Sequence, residues 1–329
     1  MSQEPVDFVF DARGNREALA PALARGGEGV VFPFKSRSDV VVKCYHPEVL
    51  RKRKVALQAK VQAMVDMKET FRGSLCWPSV QVFDHQGQWR GYAMRRAKGV
   101  TLFKLAHAML YERHFPGLDR RQVVGYMLDL LSRLDMLHAR GVMVGDYNLQ
   151  NLLCEPGSAA VELIDCDSFQ IRSGGQLFFC PVGSPDMTAP EQQNQAFERL
   201  ERTLESERFS VAIVLFKCLM LGRHPYDMVG GENPVANICK GHFPYGQGSH
   251  GIPKGPWYNI WSHMPFRLKS LFIQAFADGA KSPNMRPSLG QWAEVLQLYR
   301  AEMDKGWHAL EMKPAQPKAK QYRGSQSVG

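Results

Sequence analysis

The sequence predicts an α+β chain in two parts: a strand-rich first hundred residues carrying one helix, then a larger helical part after Ala97. Three observations predict it. Asp39–Tyr45 holds the β-branched run Val40-Val41-Val42, of strand length. After Asp119, apolar residues recur at helical spacing. A stretch near 207–221 is apolar almost all round, which suits a helix in the middle of a core.

Taken in order, the first helix is expected from about Pro47 to Lys68, with Leu57, Val61, Met64 and Val65 as its apolar stripe. Strands follow at Ser79–Phe83 and Gly91–Met94, joined by the turn Asp84-His85-Gln86-Gly87. Asp119 can cap a helix whose inward face is Val123, Met127, Leu130, Leu131, Leu134 and Leu137, and Gly141 stops it. Two short strands, Leu152–Cys154 and Val161–Ile164, flank the turn Glu155-Pro156-Gly157-Ser158. The buried helix is expected from Glu207 to Leu221. Residues 228–264, rich in Gly, Pro, His and aromatics, read as a long irregular excursion. Two amphipathic helices follow near 266–277 and 288–302, the second starting at Pro287 and Ser288. From Met312 onward the composition cannot bury a core, so 306–329 is expected to be a disordered basic tail.

The totals exclude several classes. The 329 residues are 44% hydrophobic and 22% charged, as in ordinary globular chains. No apolar run reaches the ~18 residues of a membrane span, and the first residues do not resemble a signal peptide. The seven cysteines form no Cys-x-x-Cys pair, which argues against a disulfide framework or structural zinc and fits a reducing cytoplasm. Net charge is +9, clustered at 51–54, at 95–98 and in the tail at Lys313, Lys318, Lys320 and Arg323. No aromatic-interleaved basic strand accompanies it, so the charge argues weakly for nucleic acid.

The chemistry centres on Val144–Asn151, VGDYNLQN. Alone this is a polar turn. Other features change its weight. Gly26, Gly27 and Gly29 form a Gly-rich turn before Val31, where backbone amides can approach phosphate. Lys43 follows Gly29 by 14 residues, at the end of a strand that can lie beneath that turn. Asp146 precedes Asn151 by five, and Asp165 follows Asn151 by 14. A hairpin that joins Asn151 to Asp165 offers two oxygen ligands to Mg²⁺, and Asp146 beside them can accept a hydroxyl proton. Each residue alone has a simpler reading as a turn, cap or exposed strand residue. Their joint spacing is what phosphoryl transfer from ATP needs.

In that arrangement the chain resembles the protein kinases. The phosphate loop appears as Ala24 through Gly26, Gly29 and Val31, its first glycine replaced. The strand lysine is Lys43, the catalytic loop Val144-Gly145-Asp146 through Asn151, and the metal-binding triplet Asp165-Cys166-Asp167. Ala189-Pro190-Glu191 is intact, and Arg286 looks like the late arginine that pairs with Glu191. The match runs from about 19 to 302. The resemblance implies a bilobal protein-kinase-like fold, with 1–97 as the β-rich lobe and 98–305 as the helical lobe. It implies ATP and Mg²⁺ as cofactors, with Asn151 and Asp165 as metal ligands and Asp146 and Asn148 as catalytic residues. It extends the nucleotide-binding set to Met94 and Arg96. More narrowly, Gly26–Gly29, Gly145–Asn151 and Leu163–Gln170 resemble bacterial serine/threonine kinase-like proteins often encoded beside von Willebrand A-domain proteins and a metal-dependent protein phosphatase. Those proteins and a protein substrate are the implied partners, with no membrane and a cytoplasmic setting.

The departures are specific. Asn148 stands where these kinases have a lysine, Gly145 where they have an arginine, Asp167 where they have a glycine, and Glu207 where they have an aspartate. The helix glutamate that would pair with Lys43 is open between Asp66, Glu69 and Gln58. These departures keep two other readings in play, a nucleotide-binding scaffold without efficient transfer and a small-molecule phosphotransferase. Ser168, Ser173, Ser184 and Thr188 are candidate autophosphorylation sites or simple loop residues, and 228–264 is a candidate docking segment.

Overall fold

The computed structural model describes residues 7–71, 73–246, 251–253 and 255–318. The structure is mixed: strands dominate the first hundred residues and helices the rest. Two compact units emerge from the contacts. The first holds 1–102, 135–184 and 195–203; the second holds 103–134, 185–194 and 204–329.

The first unit is built on a seven-stranded sheet. Its strands are β1 (Phe8–Phe10), β2 (Arg16–Ala18), β3 (Ala24–Arg25), β4 (Gly29–Pro33), β5 (Val40–Tyr45), β6 (Val80–Phe83) and β7 (Trp89–Arg95), in the order β2-β1-β6-β7-β5-β4-β3. In β5 the side chains alternate between faces. Val42 and Cys44 join one apolar cluster with Val9, Leu19, Phe34, Val82 and Ala93. Val41 and Tyr45 join another with Trp89, Tyr92, Met94 and two residues of the helix α1 (Pro47–Asp66), Leu57 and Val61. Lys43 lies between Val41 and Tyr45 in that alternation, so the strand period aims a cation at the face covered by α1. A small sheet of β8 (Val100–Thr101), β9 (Leu152–Cys154) and β10 (Val161–Leu163) follows, with β9 in the middle, and β11 (Ile171–Ser173) pairs with β12 (Gln176–Phe178).

In the second unit the helix Leu204–Leu219 is buried from Ser206 to Leu219 except at Arg208 and Lys217. Phe216, in its last turn, lies 5.1 Å from the rings of both Tyr245 and Phe272. The excursion 228–264 carries two helices where an irregular run was expected. Pro234–Lys240 starts at Asn233, whose side chain accepts from the Ala236 amide, and stops at left-handed Gly241; Pro256–His263 also begins with proline. Residues 247–250 of that excursion lie outside the described residues. The last helix, Leu289–Asp304, opens on a reciprocal capping box between Ser288 and Gln291.

The segment after this helix departs from the composition-based expectation as far as Lys318. The buried Arg120 guanidinium donates to the carbonyls of Glu311 (2.9 Å) and Met312 (3.1 Å). Asn259 donates to the carbonyls of Pro314 and Ala315, and the Lys318 amide donates to Ser262 Oγ. Lys320 and Arg323 lie outside the described residues.

Candidate functional site

The Gly-rich turn is a tight hairpin between β3 and β4, closed by the Gly26 amide donating to the Gly29 carbonyl at 2.9 Å. It is fixed from β5 and α1: His46 Nε2 lies 2.9 Å from the Gly26 carbonyl and Arg53 pairs with Glu28 at 2.5 Å. The glycines differ in what they do. A Cβ at Gly29 would lie 2.4 Å from the Cys44 carbonyl oxygen, whereas a Cβ at Gly27 would meet nothing within 4 Å. Gly29→Ala is therefore expected to cost about 1–3 kcal/mol of stability and Gly27→Ala to leave the nucleotide-free melting temperature unchanged. Equal melting temperatures for the two variants would contradict this.

Lys43 pairs in register with Val31 on β4 and Tyr92 on β7, which fixes its height in the sheet. Its ammonium donates to Asp165 Oδ1 at 2.9 Å and to both oxygens of Asp167 at 2.9 Å. Burial opposes the charge on Lys43, but Asp167 and Asp165 outweigh it and hold the ammonium well above the usual lysine range. Burial likewise opposes the charge on Asp167. Lys43, with the hydroxyls of Tyr45 and Tyr92, brings that carboxyl below its ordinary value. Asp165 itself has left-handed backbone (φ 59°), a conformation aspartate tolerates better than most residues.

The stretch Val144–Asn151 alternates anchors and polar groups. Val144, Tyr147 and Leu149 are buried, while Asp146, Asn148 and Asn151 are partly exposed. Met143 exchanges two backbone hydrogen bonds with Gln170. The β9–β10 hairpin pairs Leu152 with Leu163, and the Ile164 amide donates to the Asn151 carbonyl at 3.0 Å. The strand ends thus bring Asn151 and Asp165 to one place. Ser184 Oγ donates to Asp146 Oδ1 at 3.0 Å. Burial raises the Asp146 carboxyl above its ordinary range, and the Ser184 hydrogen bond and the charge of Arg202 draw it part of the way back.

No family model matches the chain. The chain is similar to proteins named as protein kinases. It is 29% identical over 309 residues to "Protein kinase YegI" of Escherichia coli (strain K12), covering 90% of this chain and 47% of that protein. It is 27% identical over 167 residues to "Probable serine/threonine-protein kinase PknB" of Lactococcus lactis subsp. lactis (strain IL1403), covering 50% of this chain and 24% of that one. Against "MAP kinase-interacting serine/threonine-protein kinase 1" of Xenopus laevis it is 25% identical over 192 residues, covering 51% and 43%. The chain spans about half the length of the YegI protein it matches.

Met94 pairs with Val41 and is buried in the cluster under α1. The Arg96 amide donates to the Asp39 carbonyl at 2.7 Å and its guanidinium to the Ser38 carbonyl at 3.4 Å. Glu191 and Arg286 meet in the second unit through two parallel hydrogen bonds of 2.7 Å. None of the helix residues considered for Lys43 reaches it. Asp66 is exposed and accepts from Gln62, Gln58 faces Gln81, and Glu69 is exposed. The buried charge on α1 is instead Lys60, which donates to the carbonyls of Ser168 and Phe179 and is pushed down to about 8 by burial. Two of the basic clusters are engaged locally, through Arg53 with Glu28 and Arg95 with Glu162.

Sequence reasoning missed Arg202. Gly145 (φ 73°) leaves room where a Cβ would lie 2.7 Å from Cys180 Sγ and 3.4 Å from Arg202 Nε. The Arg202 guanidinium stacks over Phe197 at 4.8 Å and donates to the Val182 carbonyl. It therefore puts a positive charge beside the site whose expected arginine, at 145, is absent. The glycine at 145 was the available signal, since it marked a space that something else had to fill.

Proposed function

We propose that the chain is an ATP- and Mg²⁺-dependent serine/threonine protein kinase, transferring the γ-phosphoryl group to protein hydroxyls, its own included. The observation that carries this reading is the meeting of Lys43 and Asp165, 122 residues apart, at 2.9 Å in the unit that also holds Asp146 with a hydroxyl already donating to it. In this reading the mixed fold is the two-lobed kinase arrangement, with 1–97 and 98–305 as its lobes. Gly26, Gly27, Gly29 and Val31 cover the phosphates, Lys43 supplies the cation, and Met94 and Arg96 border the nucleotide. Asp146 orients the acceptor hydroxyl and takes its proton, while Asn148 donates a neutral hydrogen bond near the transferred group.

The donor set fits Mg²⁺. Asn151 and Asp165 offer hard oxygens, and the Asp165 side chain is 50% exposed. Among the described residues no group of three or more His, Cys, Asp or Glu forms a cage. Mg²⁺ binds through one or two protein oxygens plus substrate phosphates, and Asn151 and Asp165 are the pair proposed for it. When bound, Mg²⁺ would neutralise charge on the phosphates. The proposed partners are a protein substrate, a von Willebrand A-domain protein and a protein phosphatase. No helix among the described residues is long and apolar enough to cross a membrane, and the proposed setting is cytoplasmic.

The test is transfer of labelled phosphate from Mg-ATP to the chain itself or to a generic protein, with a thermal titration by Mg-ATP in parallel. Transfer is the expected result. One observation favours the scaffold reading: Asn148 Oδ1 accepts from the Gln150 amide at 2.9 Å, tying that side chain to its own turn. Stabilisation by Mg-ATP without any transfer would replace the kinase by that scaffold. Transfer to small aminoalcohols but to no protein would replace it by the small-molecule enzyme.

A further inference from the structure

A buried ammonium needs fixed partners, because an uncompensated charge away from water is costly. The Lys43 side chain is only 6% exposed. In the kinases this chain resembles, the partner is a carboxylate on the helix after the lysine strand. Here the carboxylates of that helix, Glu48 and Asp66, are both exposed, and Asp66 accepts from Gln62. The buried residues of α1 are Leu57, Lys60, Val61, Ala63 and Met64, and Val61 packs in one cluster with Tyr45 and Tyr92.

The two carboxylates that do reach Lys43 differ in kind. Asp165 gives one oxygen and its side chain is half exposed. The Asp167 side chain is 2% exposed and gives both oxygens to Lys43. Its remaining acceptor capacity is filled by Tyr92 Oη, donating to Oδ1 at 2.7 Å, and by Tyr45 Oη, donating to Oδ2 at 2.6 Å. Three side chains of two adjacent strands, β5 and β7, thus converge on one carboxylate delivered by the loop after Asp165.

We propose that Asp167 is the positioning residue for Lys43, taking over the role of the absent helix carboxylate, so that Asp165 can exchange Lys43 for the nucleotide's metal while the ammonium stays in place. The proposal rests on the kinase reading. It also gives α1 a different lever. Lys60 donates to the carbonyl of Ser168, the residue after Asp167. The helix therefore acts on Lys43 through the loop, not by touching it.

The test is a double-mutant cycle in the full chain on Lys43→Met and Asp167→Asn, read as KM for Mg-ATP and kcat of transfer, and in parallel as affinity in a thermal titration with Mg-ATP. If Asp167 works through Lys43, Asp167→Asn lowers kcat/KM and nucleotide affinity about tenfold, and adds nothing further in the Lys43→Met background. Tyr45→Phe and Tyr92→Phe, which remove one donor each, are expected to lower the same quantities about two- to fivefold, again only when Lys43 is present. They keep the cycle readable if Asp167→Asn folds poorly. Losses that persist at full size with Lys43 removed would overturn the proposal, as would a wild-type response to Mg-ATP in the Asp167 and tyrosine variants alike. A wild-type chain that neither transfers phosphate nor responds to Mg-ATP would instead overturn the kinase reading. Binding without transfer leaves the affinity arm of the cycle intact.

Discussion

Replacing Asp146 by Asn is expected to lower phosphoryl transfer from Mg-ATP by about 10²–10⁴-fold, with stabilisation of the fold by Mg-ATP retained. The amide keeps the shape and can still accept from Ser184, but it cannot take a proton from the acceptor. The pH profile gives an independent reading. A base works ionised, and burial holds the Asp146 carboxyl above its ordinary range. Activity should therefore fall, as pH drops, at a higher pH than an exposed aspartate would set. The 3.0 Å hydrogen bond from Ser184 favours the ionised form. Ser184→Ala should shift this acid limb to still higher pH. An acid limb that is unmoved, or that moves down, would count against Asp146 as the base.

The second large effect belongs to stability. The Arg286 side chain is fully buried at 0% exposure. Besides the two bonds to Glu191, its Nε donates to the Gly279 carbonyl and its Nη1 to the Glu205 carbonyl, both at 2.8 Å, and the guanidinium lies 4.9 Å from the Phe209 ring. Arg286→Met keeps much of the volume but strips a carboxylate and two backbone carbonyls of a donor at once. The expected cost is about 3–5 kcal/mol, the usual price of breaking a buried pair from one side. Glu191→Gln should cost less, because the Glu191 side chain is 36% exposed and water can share the load. Thermal unfolding without nucleotide orders the variants: wild type above Glu191→Gln above Arg286→Met. The reverse order would mean that the guanidinium's backbone bonds carry little.

Local patterns made much of the fold legible. The β-branched run of β5, the turn between β9 and β10, and the apolar helix Leu204–Leu219 each announce themselves within a few residues. The helices Pro234–Lys240 and Pro256–His263 did not, because the glycines and prolines that suggested irregular chain serve as their starts and stops. The order up to Lys318 was invisible to composition for another reason. It depends on main-chain carbonyls accepting from Arg120 and Asn259, and every residue type carries a carbonyl. In the site, the spacing of Lys43, Asp146, Asn151 and Asp165 could be read as a set. The contacts of Asp167 and Arg202 could not. Asp167 meets Lys43 across 124 positions, and its two other donors are phenols whose place depends on strand register. Arg202 reaches its position through paired bonds with Gln170 that no local pattern foretells.

The packing around Gly145 limits what can replace it. Any side chain at 145 collides with Cys180 before it reaches solvent, and Arg202 occupies the next available volume. A side chain at 145 therefore needs Cys180 to shift or shrink, so substitutions at 145 and 180 are expected to have coupled effects on stability.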